Sequence, residues 1–296
     1  MSQQRSRAAG APLPPVMRYH GGKHRIADWI IGQFPPHSVY VEPFGGAGSV
    51  LVRKEPVRSE VYNDLDSETA NVFQVLRNPA SAERLRALCE LTPYARAEFD
   101  LAQMRSDEPV EQARRTLFRA WSSFGSAGAT RGRSGMRTYT RPDGDHLNVA
   151  KSWNRVADMI PHYVERMRKV VIENRPAMDV MRQHDSRETL HYVDPPYLPE
   201  TRSQGSHRYY RHEMTVDDHV ALLESLRDLK GMVLLSGYES TLYDENLPGW
   251  RRLTLSTTGS SRMGSVQRLE CLWVSPEAAR ARDRFEQQVD MFGGVA

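Results

Sequence analysis

The sequence predicts an α/β protein built on a mostly parallel sheet, with a mainly helical segment inserted after the second strand. Apolar runs typical of buried strands alternate with segments of helical periodicity, which indicates a sheet covered by helices on both faces. Residues 67–162 separate the second strand from the third, and this stretch is too long for a single crossover helix. The chain has 296 residues, enough for a sizeable core.

The composition is that of a globular chain. Hydrophobic residues make up 39% of the sequence and charged residues 26%, which excludes a wholly disordered protein. The two cysteines, Cys89 and Cys271, cannot form a disulfide framework or a cysteine-based zinc site, and they fit a reducing, cytoplasmic setting. No apolar run approaches the ~18 residues of a transmembrane helix, and the N-terminal residues lack an apolar signal core, so no membrane partner is expected.

The chain begins with a segment that predicts disorder and a turn. Residues 1–15 are rich in Ala, Pro, Arg and Gln and are predicted to be a disordered arm. Two glycines at 21–22 then precede Ile26, Ile30 and Phe34, whose four-residue spacing indicates a helix. The glycines would lie at the helix N-terminus, where backbone N–H groups favour an anion. A plain turn is the alternative.

A nucleoside site is indicated by the next two strands. The strand at 38–42 leads into a glycine-rich turn at 43–49, and residues 50–52 are expected to begin a helix. The following strand, 60–62, ends in Asn63 and Asp64. Glycines let a backbone approach its ligand, and an acid about 20 residues later accepts hydrogen bonds from ribose hydroxyls. The turn lacks the dinucleotide pattern G-x-G-x-x-G, which disfavours an NAD-dependent oxidoreductase.

The insert ends in a stretch of different composition. Helical patterns run to about residue 123, and residues 124–135 are then rich in Gly, Ser and Arg. Basic and aromatic side chains among small residues fit a nucleic-acid backbone or groove. The candidates for such contacts are Arg131, Arg133, Arg137, Tyr139 and Arg141. A solvated loop is the alternative.

The second half of the chain carries the most distinctive stretch. The apolar strand 189–193 ends in Asp194, two prolines and Tyr197. Two prolines in a row stiffen the exit from the strand. A carboxylate and a phenol ring are therefore held at the carboxyl end of a strand, where open α/β sheets bind their ligands.

Four further elements complete the predicted sheet and its surroundings. Residues 170–173 are a predicted strand that is followed by Asn174, and 232–236 are another strand. Residues 250–257 and 267–275 are predicted to form a closing hairpin. The loop 198–213 mixes rings and positive charge, which suits either phosphate contact and stacking or a plain surface loop.

Four runs, in this order along the chain, resemble the DNA adenine methyltransferases of the Dam type: residues 19–23, 41–50, 63–64 and 194–197. The resemblance spans roughly residues 17–275. It implies a Rossmann-like methyltransferase fold with a catalytic domain of residues 16–66 and 163–275. An inserted target-recognition subdomain would comprise residues 67–162, and residues 276–296 would be a C-terminal tail.

The resemblance also implies S-adenosyl-L-methionine as the cofactor. Lys23 would lie near its anionic methionine end, and Asp64 would hold the ribose hydroxyls. The full set of implied cofactor-binding residues is Tyr19, Lys23, Glu42, Phe44, Gly45, Gly46, Gly48, Asp64 and Asp194. Many relatives carry an Asp near the cofactor adenine after the third strand. Here Asn174, Arg175 and Pro176 occupy that neighbourhood, so that role is not transferred.

The implied catalytic residues are Asp194, Pro195, Pro196 and Tyr197. The exocyclic amine of adenine is a poor nucleophile because its lone pair is delocalised into the ring. The Asp194 carboxylate and the Pro195 carbonyl would accept its hydrogens and aim the lone pair at the methyl group. Tyr197 would stack on a base turned out of the duplex. Neither a metal nor a covalent intermediate is expected.

The expected partner is double-stranded DNA, bound by a monomer or by a dimer on the DNA. The expected location is the cytoplasm of a bacterial or phage-infected cell, on nucleoid DNA. Other acceptors stay open, namely a cytosine amine or RNA, as does a non-catalytic DNA-binding protein that retains the fold. The recognised DNA sequence and any association with a restriction nuclease cannot be deduced from the residues.

Overall fold

A computed structural model describes residues 13–125, 128–130, 134–138, 149–201, 209–261 and 264–292. Its strands form one seven-stranded sheet. In chain order they are β1 (Val39–Glu42), β2 (Ser59–Asn63), β3 (Val170–Glu173), β4 (Thr189–Val193), β5 (Met232–Tyr238), β6 (Arg251–Ser261) and β7 (Gly264–Val274).

The sheet is mostly parallel, as predicted. The strand order is β3-β2-β1-β4-β5-β7-β6, and the first five of these run parallel to one another. β7 runs antiparallel to both β5 and β6, and it forms the predicted closing hairpin with β6. All five residues of β4 are buried, as expected for a central strand with both faces covered. The strand order reverses between β1 and β4, where sheets of this kind leave a crevice for ligands.

Ten α-helices surround the sheet in the described part of the chain. They are α1 (Ala27–Ile31), α2 (Ser67–Arg77), α3 (Pro79–Leu91), α4 (Arg96–Leu101), α5 (Pro109–Ser122), α6 (Val149–Met167), α7 (Ala177–Gln183), α8 (Val216–Arg227), α9 (Thr241–Asn246) and α10 (Pro276–Phe292). None of the described helices is both long and apolar enough to cross a membrane.

The helices α2 to α6 lie between β2 and β3, which confirms a mainly helical insertion. Their core is continuous with that of the sheet, since Leu117 and Trp153 belong to the same buried cluster as Tyr62 and Tyr192. α6 also runs through residue 162, where the sequence placed a domain boundary. A division into two domains therefore stays a prediction.

Two helices expected near the N-terminus differ in the structure. Residues 50–52 form turns, and no helix is present in the fully described segment between β1 and β2. Single helical turns form in its place: the Val52 N–H donates to the Gly48 carbonyl at 2.9 Å and the Lys54 N–H to the Val50 carbonyl at 3.0 Å, while the Glu42 carboxyl group accepts the Leu51 N–H at 3.0 Å. The helix after the glycine pair is short, and two prolines at 35–36 follow it. It is preceded by a 3-10 turn, Lys23–Arg25, so the glycines do not open a full α-helix.

The two ends of the described chain pack more than their composition indicates. Residues 1–12 of the predicted arm lie outside the described residues, but the Pro14 carbonyl accepts a hydrogen bond from the Tyr163 hydroxyl. Val16 and Met17 are buried. The segment treated as a C-terminal tail is the helix α10, which begins with Ala278 buried against the core.

Candidate active site

A cavity of about 280 Å³ lies at the carboxyl edge of the sheet. Acidic side chains from three strand ends line it: Glu42 ends β1, Asp64 follows β2, and Asp194 follows β4. Since parallel strands present their carboxyl ends at one edge, the topology brings these three acids together from distant parts of the sequence.

The glycine-rich turn after β1 forms the floor of the cavity. Gly46 and Gly48 have positive φ angles of 50° and 61°, which favour glycine. A Cβ atom at Gly45 would lie 2.1 Å from a ring atom of Tyr62. The Tyr62 hydroxyl donates to the Gly46 carbonyl at 2.7 Å. The turn is therefore folded tightly onto β2, and its backbone faces the cavity.

Asp64 fastens this turn to the end of β2. Its Oδ2 accepts the Gly46 N–H at 2.8 Å, and its Oδ1 accepts the Asp66 N–H at 2.8 Å. Burial raises the pKa of Asp64 to about 7, although both hydrogen bonds oppose the rise. Each carboxylate oxygen can accept a further bond, so Asp64 can serve the turn and a ligand together.

Glu42 is the most buried of the three acids, with 3% of its surface exposed. Its Oε2 accepts from the Tyr40 hydroxyl at 2.7 Å and from the Leu51 N–H at 3.0 Å. Burial raises its pKa to about 8. Glu42 thus organises the loop under the cavity through two neutral donors.

Asp194 is held differently, by a cation. The Nζ of Lys23 lies 2.8 Å from both of its carboxylate oxygens and also donates to the Gly21 carbonyl at 2.7 Å. Burial raises the pKa of Asp194, and the Lys23 ammonium opposes that rise. Burial by itself would lower the pKa of Lys23, but the Asp194 and Glu270 carboxylates outweigh it and the pKa is raised. Each group therefore favours the charged form of the other.

Tyr197 lies beside this ion pair. The Lys23 Nζ is 4.6 Å from the centre of its ring. The ring of Tyr238 meets it edge-on, with centroids 4.6 Å apart and planes at 78°. The Tyr197 hydroxyl donates to Glu270 Oε2 at 3.0 Å. The phenol is thus fixed next to Asp194 by contacts from β5 and β7.

The structure brings most of the predicted cofactor residues to one place. Among the nine, Gly48 is absent from the described lining, since it packs against Phe73 beneath the turn. The other eight line the cavity: Tyr19, Lys23, Glu42, Phe44, Gly45, Gly46, Asp64 and Asp194. Of the predicted catalytic residues, Asp194 and Pro196 line the cavity. Pro195 and Tyr197 belong to the same stretch of chain but are absent from the described lining. Their roles stay predictions.

The sequence analysis gave no role to several lining residues, although it placed Pro176 in the neighbourhood of the cofactor adenine. Pro176, Ala177, Met178 and Leu222 form an apolar wall from the start of α7 and from α8. Neither segment carries a motif, and the wall exists because α7 and α8 meet at this edge. Asn174 was named without a role. Its side chain donates to the carbonyls of Asp64 at 2.7 Å and Leu65 at 3.1 Å, which holds the loop after β2.

Residues 209–214 cover another side of the cavity. His20 stacks on Tyr209 with ring centroids 3.7 Å apart and planes at 14°. Arg211 pairs with Asp66 at 2.8 Å and Glu68 at 2.7 Å. The sequence indicated phosphate contact or a plain surface loop here. Arg211 instead binds two carboxylates of its own chain, which composition cannot reveal.

The predicted DNA contacts fall mostly outside the described residues, which exclude Arg131, Arg133, Tyr139 and Arg141. Arg137 is described. Its backbone N–H donates to the Ser122 carbonyl at 2.7 Å, and its own carbonyl accepts from Tyr94 at 2.8 Å. Burial and the neighbouring Arg137 cation lower the pKa of Arg18. Two guanidinium groups therefore lie close together beside α5. No group of three or more metal-ligating side chains is found among the described residues.

Fold and site together define a class. A sheet of order 3-2-1-4-5-7-6 with an antiparallel seventh strand, a glycine-rich turn after β1 and an acid after β2 are the features of the S-adenosylmethionine-dependent methyltransferase fold. The sequence model of one family within this class matches residues 19–247. That family is described as D12 class N6 adenine-specific DNA methyltransferase. The chain belongs to that family.

Curated relatives agree with this placement. The chain is similar to the DNA adenine methylase of Escherichia coli K12, with 25% identity over 242 residues, 77% of this chain and 82% of that protein. It is similar to the Type II methyltransferase M1.LlaDCHI of Lactococcus lactis subsp. cremoris, with 24% identity over 248 residues, 79% of this chain and 84% of that protein. The prediction of an adenine-specific DNA methyltransferase is confirmed by the family match.

Proposed function

We propose that the chain transfers a methyl group from S-adenosyl-L-methionine to the exocyclic amine of an adenine turned out of double-stranded DNA. The observation that carries this proposal is the Lys23–Asp194 pair, which lies beside Tyr197 at one end of the cavity. At this point the cavity, which is large enough for a nucleoside, meets a carboxylate that can polarise an amine and an aromatic ring.

The cavity fits the cofactor in shape and chemistry. The apolar wall of Pro176, Ala177, Met178 and Leu222 suits a purine ring. Asp64 has acceptor capacity left for ribose hydroxyls, and the glycine turn lets the chain approach closely. Lys23 offers a positive charge near the other end. When bound, the cofactor supplies a methyl carbon attached to a positively charged sulfur.

Asp194 has the central role in the proposed chemistry. As an acceptor beside the amine, its carboxylate polarises the N–H bonds and favours a pyramidal nitrogen whose lone pair is available. The Pro195 carbonyl would accept the second hydrogen. The methylated amine must lose one proton, and the Asp194 carboxylate that accepts its hydrogen bond is the candidate to take it. Lys23 favours the ionised form of Asp194, because its ammonium opposes the rise in pKa that burial causes.

Duplex DNA would reach this site from the side of α5. Arg18 and Arg137 lie together there, and like charges held in proximity favour an anion between them. Arg131, Arg133, Tyr139 and Arg141 belong to the same stretch of sequence and are proposed to extend the contact. We also propose that the protein acts as a monomer, or as a dimer on DNA, in the cytoplasm of a bacterial or phage-infected cell.

One experiment tests the reaction and its acceptor together. Unmethylated plasmid DNA and total RNA are each incubated with the protein and cofactor, then digested to nucleosides and analysed by mass spectrometry. We expect N6-methyladenine from the DNA. Methylated cytosine, or methylation of RNA in place of DNA, would overturn the proposed acceptor. DNA binding without any methylated product would favour the non-catalytic alternative.

A further inference from the structure

One acidic residue of β7 does not follow the pattern of its strand. Alternate residues Glu270, Leu272 and Val274 face the same side of the sheet. Leu272 and Val274 are buried in the main core. Glu270 occupies the next position on that face, is partly buried, and carries a charge. A carboxylate there is unfavourable unless hydrogen bonds offset its desolvation, so its contacts are informative.

Glu270 reaches the end of β4 across β5. It pairs in register with Tyr238, which places both side chains on one face. From there its Oε2 accepts the Tyr197 hydroxyl at 3.0 Å, while the Tyr238 ring touches the edge of the Tyr197 ring. Two residues earlier on the same face, Arg268 donates to the Tyr238 hydroxyl at 2.7 Å. β7 thus holds the hydroxyl groups of both rings.

We infer that Glu270 is a positioning residue for methyl transfer, which sets the plane of the Tyr197 ring against the target base. This inference rests on the proposed function. Glu270 acts through Tyr197. The hydroxyl donates to Glu270 and is also within hydrogen-bonding reach of Asp194, one ring edge meets Tyr238, and one side faces the Lys23 ammonium. With these contacts the ring is ordered before the base arrives, and base binding requires no further ordering of it.

The contact is suited to this role because its acceptor is ionic. A phenol that donates to a carboxylate forms a stronger and more directional bond than one that donates to water. Without it the Tyr197 ring could rotate away from Asp194, and fewer bound bases would lie in line with the methyl donor. The loss should therefore appear in the transfer step, and cofactor binding should stay unchanged.

The test is a set of single-turnover rates with unmethylated plasmid DNA and cofactor labelled in its methyl group. Glu270→Ala is expected to slow transfer about tenfold, the usual scale for one bond to a charged group. Glu270→Gln keeps an acceptor oxygen and should stay within about threefold of wild type. The control is Glu239→Ala, which removes a largely exposed carboxylate that pairs with Arg252. It should leave the rate unchanged.

A double-mutant cycle separates positioning from a general structural effect. Tyr197→Phe removes the donor to Glu270 together with the contact to Asp194, and should cost at least as much as Glu270→Ala. The double variant should cost no more than Tyr197→Phe alone, with melting temperature and cofactor affinity close to wild type. Additive losses, a wild-type rate for Glu270→Ala, or a Gln variant as slow as the Ala variant would overturn the inference. If Glu270→Ala fails to fold, Glu270→Leu, which also removes the acceptor but keeps more of the side-chain volume, takes its place in the cycle. A wild-type protein that incorporates no label would instead overturn the proposed function.

Discussion

At one edge of the sheet, neighbouring strands hold their acids by different means. Asp64 after β2 and Glu42 at the end of β1 accept hydrogen bonds from backbone N–H groups and a phenol, all of which are fixed by the fold. Asp194 after β4 is held by a lysine side chain at 2.8 Å. Donors that belong to the backbone make an acid part of the scaffold, whereas an acid that accepts from one ammonium keeps oxygen lone pairs for a substrate. The difference divides this edge of the sheet into two parts. We call the part that carries Glu42 and Asp64 the binding edge, and the part that carries Asp194 the reacting edge.

The largest effect is expected at the reacting edge. Asp194→Ala removes the acceptor for the adenine amine and should lower the single-turnover rate about 10³-fold, the upper range for removing one polarising group. Cofactor affinity, measured by calorimetry, should change far less. A variant with a wild-type rate would remove Asp194 from the mechanism. A variant with a wild-type rate at saturating cofactor and weak cofactor binding would make Asp194 a binding residue like Asp64.

At the binding edge we expect a pH dependence of the folding stability. The pKa of Glu42 is about 8 in the folded protein and near 4.5 when unfolded, because burial disfavours its charge. Between these values the folded state holds the extra proton, so stability falls as pH rises from about 5 to 8. Over that pH range Glu42 should lower the free energy of unfolding by about 3 kcal/mol, and Glu42→Gln should remove this contribution. Denaturant unfolding of both proteins at several pH values measures it, and parallel profiles would contradict the expectation.

A smaller effect is expected at Asp64. Asp64→Ala leaves the N–H groups of Gly46 and Asp66 without their acceptor, at a cost of about 2 kcal/mol. Because this loosens the turn that forms the cavity floor, cofactor affinity should fall about 30-fold while the rate at saturating cofactor is largely kept. The matched control is Asp179→Ala, which removes an exposed acid of α7. Equal affinity in the two variants would place Asp64 outside the binding edge.

What the sequence predicted well was local. A buried strand that ends in Asp194 and two prolines, or in Asp64 after a glycine turn, is written in a few consecutive residues, and parallel strands then assemble such ends at one edge. The helix expected at 50–52 is reduced to single turns, in which the Leu51 N–H donates to the side chain of Glu42. No local periodicity reports such a contact.

The missed part of the site has the same cause. Arg211 lies 145 residues from Asp66 in the chain, and only the folded structure joins them. Glu270 likewise meets Tyr197 across 73 residues. In the sequence, an arginine in a polar loop and a glutamate in a strand resemble many surface residues. Their roles depend on which strands become neighbours and in which register. The sequence predicted the class of fold but not the register of the strands.

The smallest effect is expected outside the sheet, at the segment that covers the cavity. Arg211 joins residues 209–214 to Asp66 and Glu68, next to the backbone-held Asp64. Arg211→Ala should weaken cofactor binding about fivefold, about 1 kcal/mol for a partly exposed ion pair, through faster cofactor release. Stopped-flow displacement measures that release, with Arg182→Ala, an exposed arginine of α7, as the control. A release rate equal to that of the control would mean that the sheet edge and the stacked rings of His20 and Tyr209 retain the cofactor without Arg211. A loss as large as that of Asp64→Ala would extend the binding edge beyond the sheet to this segment.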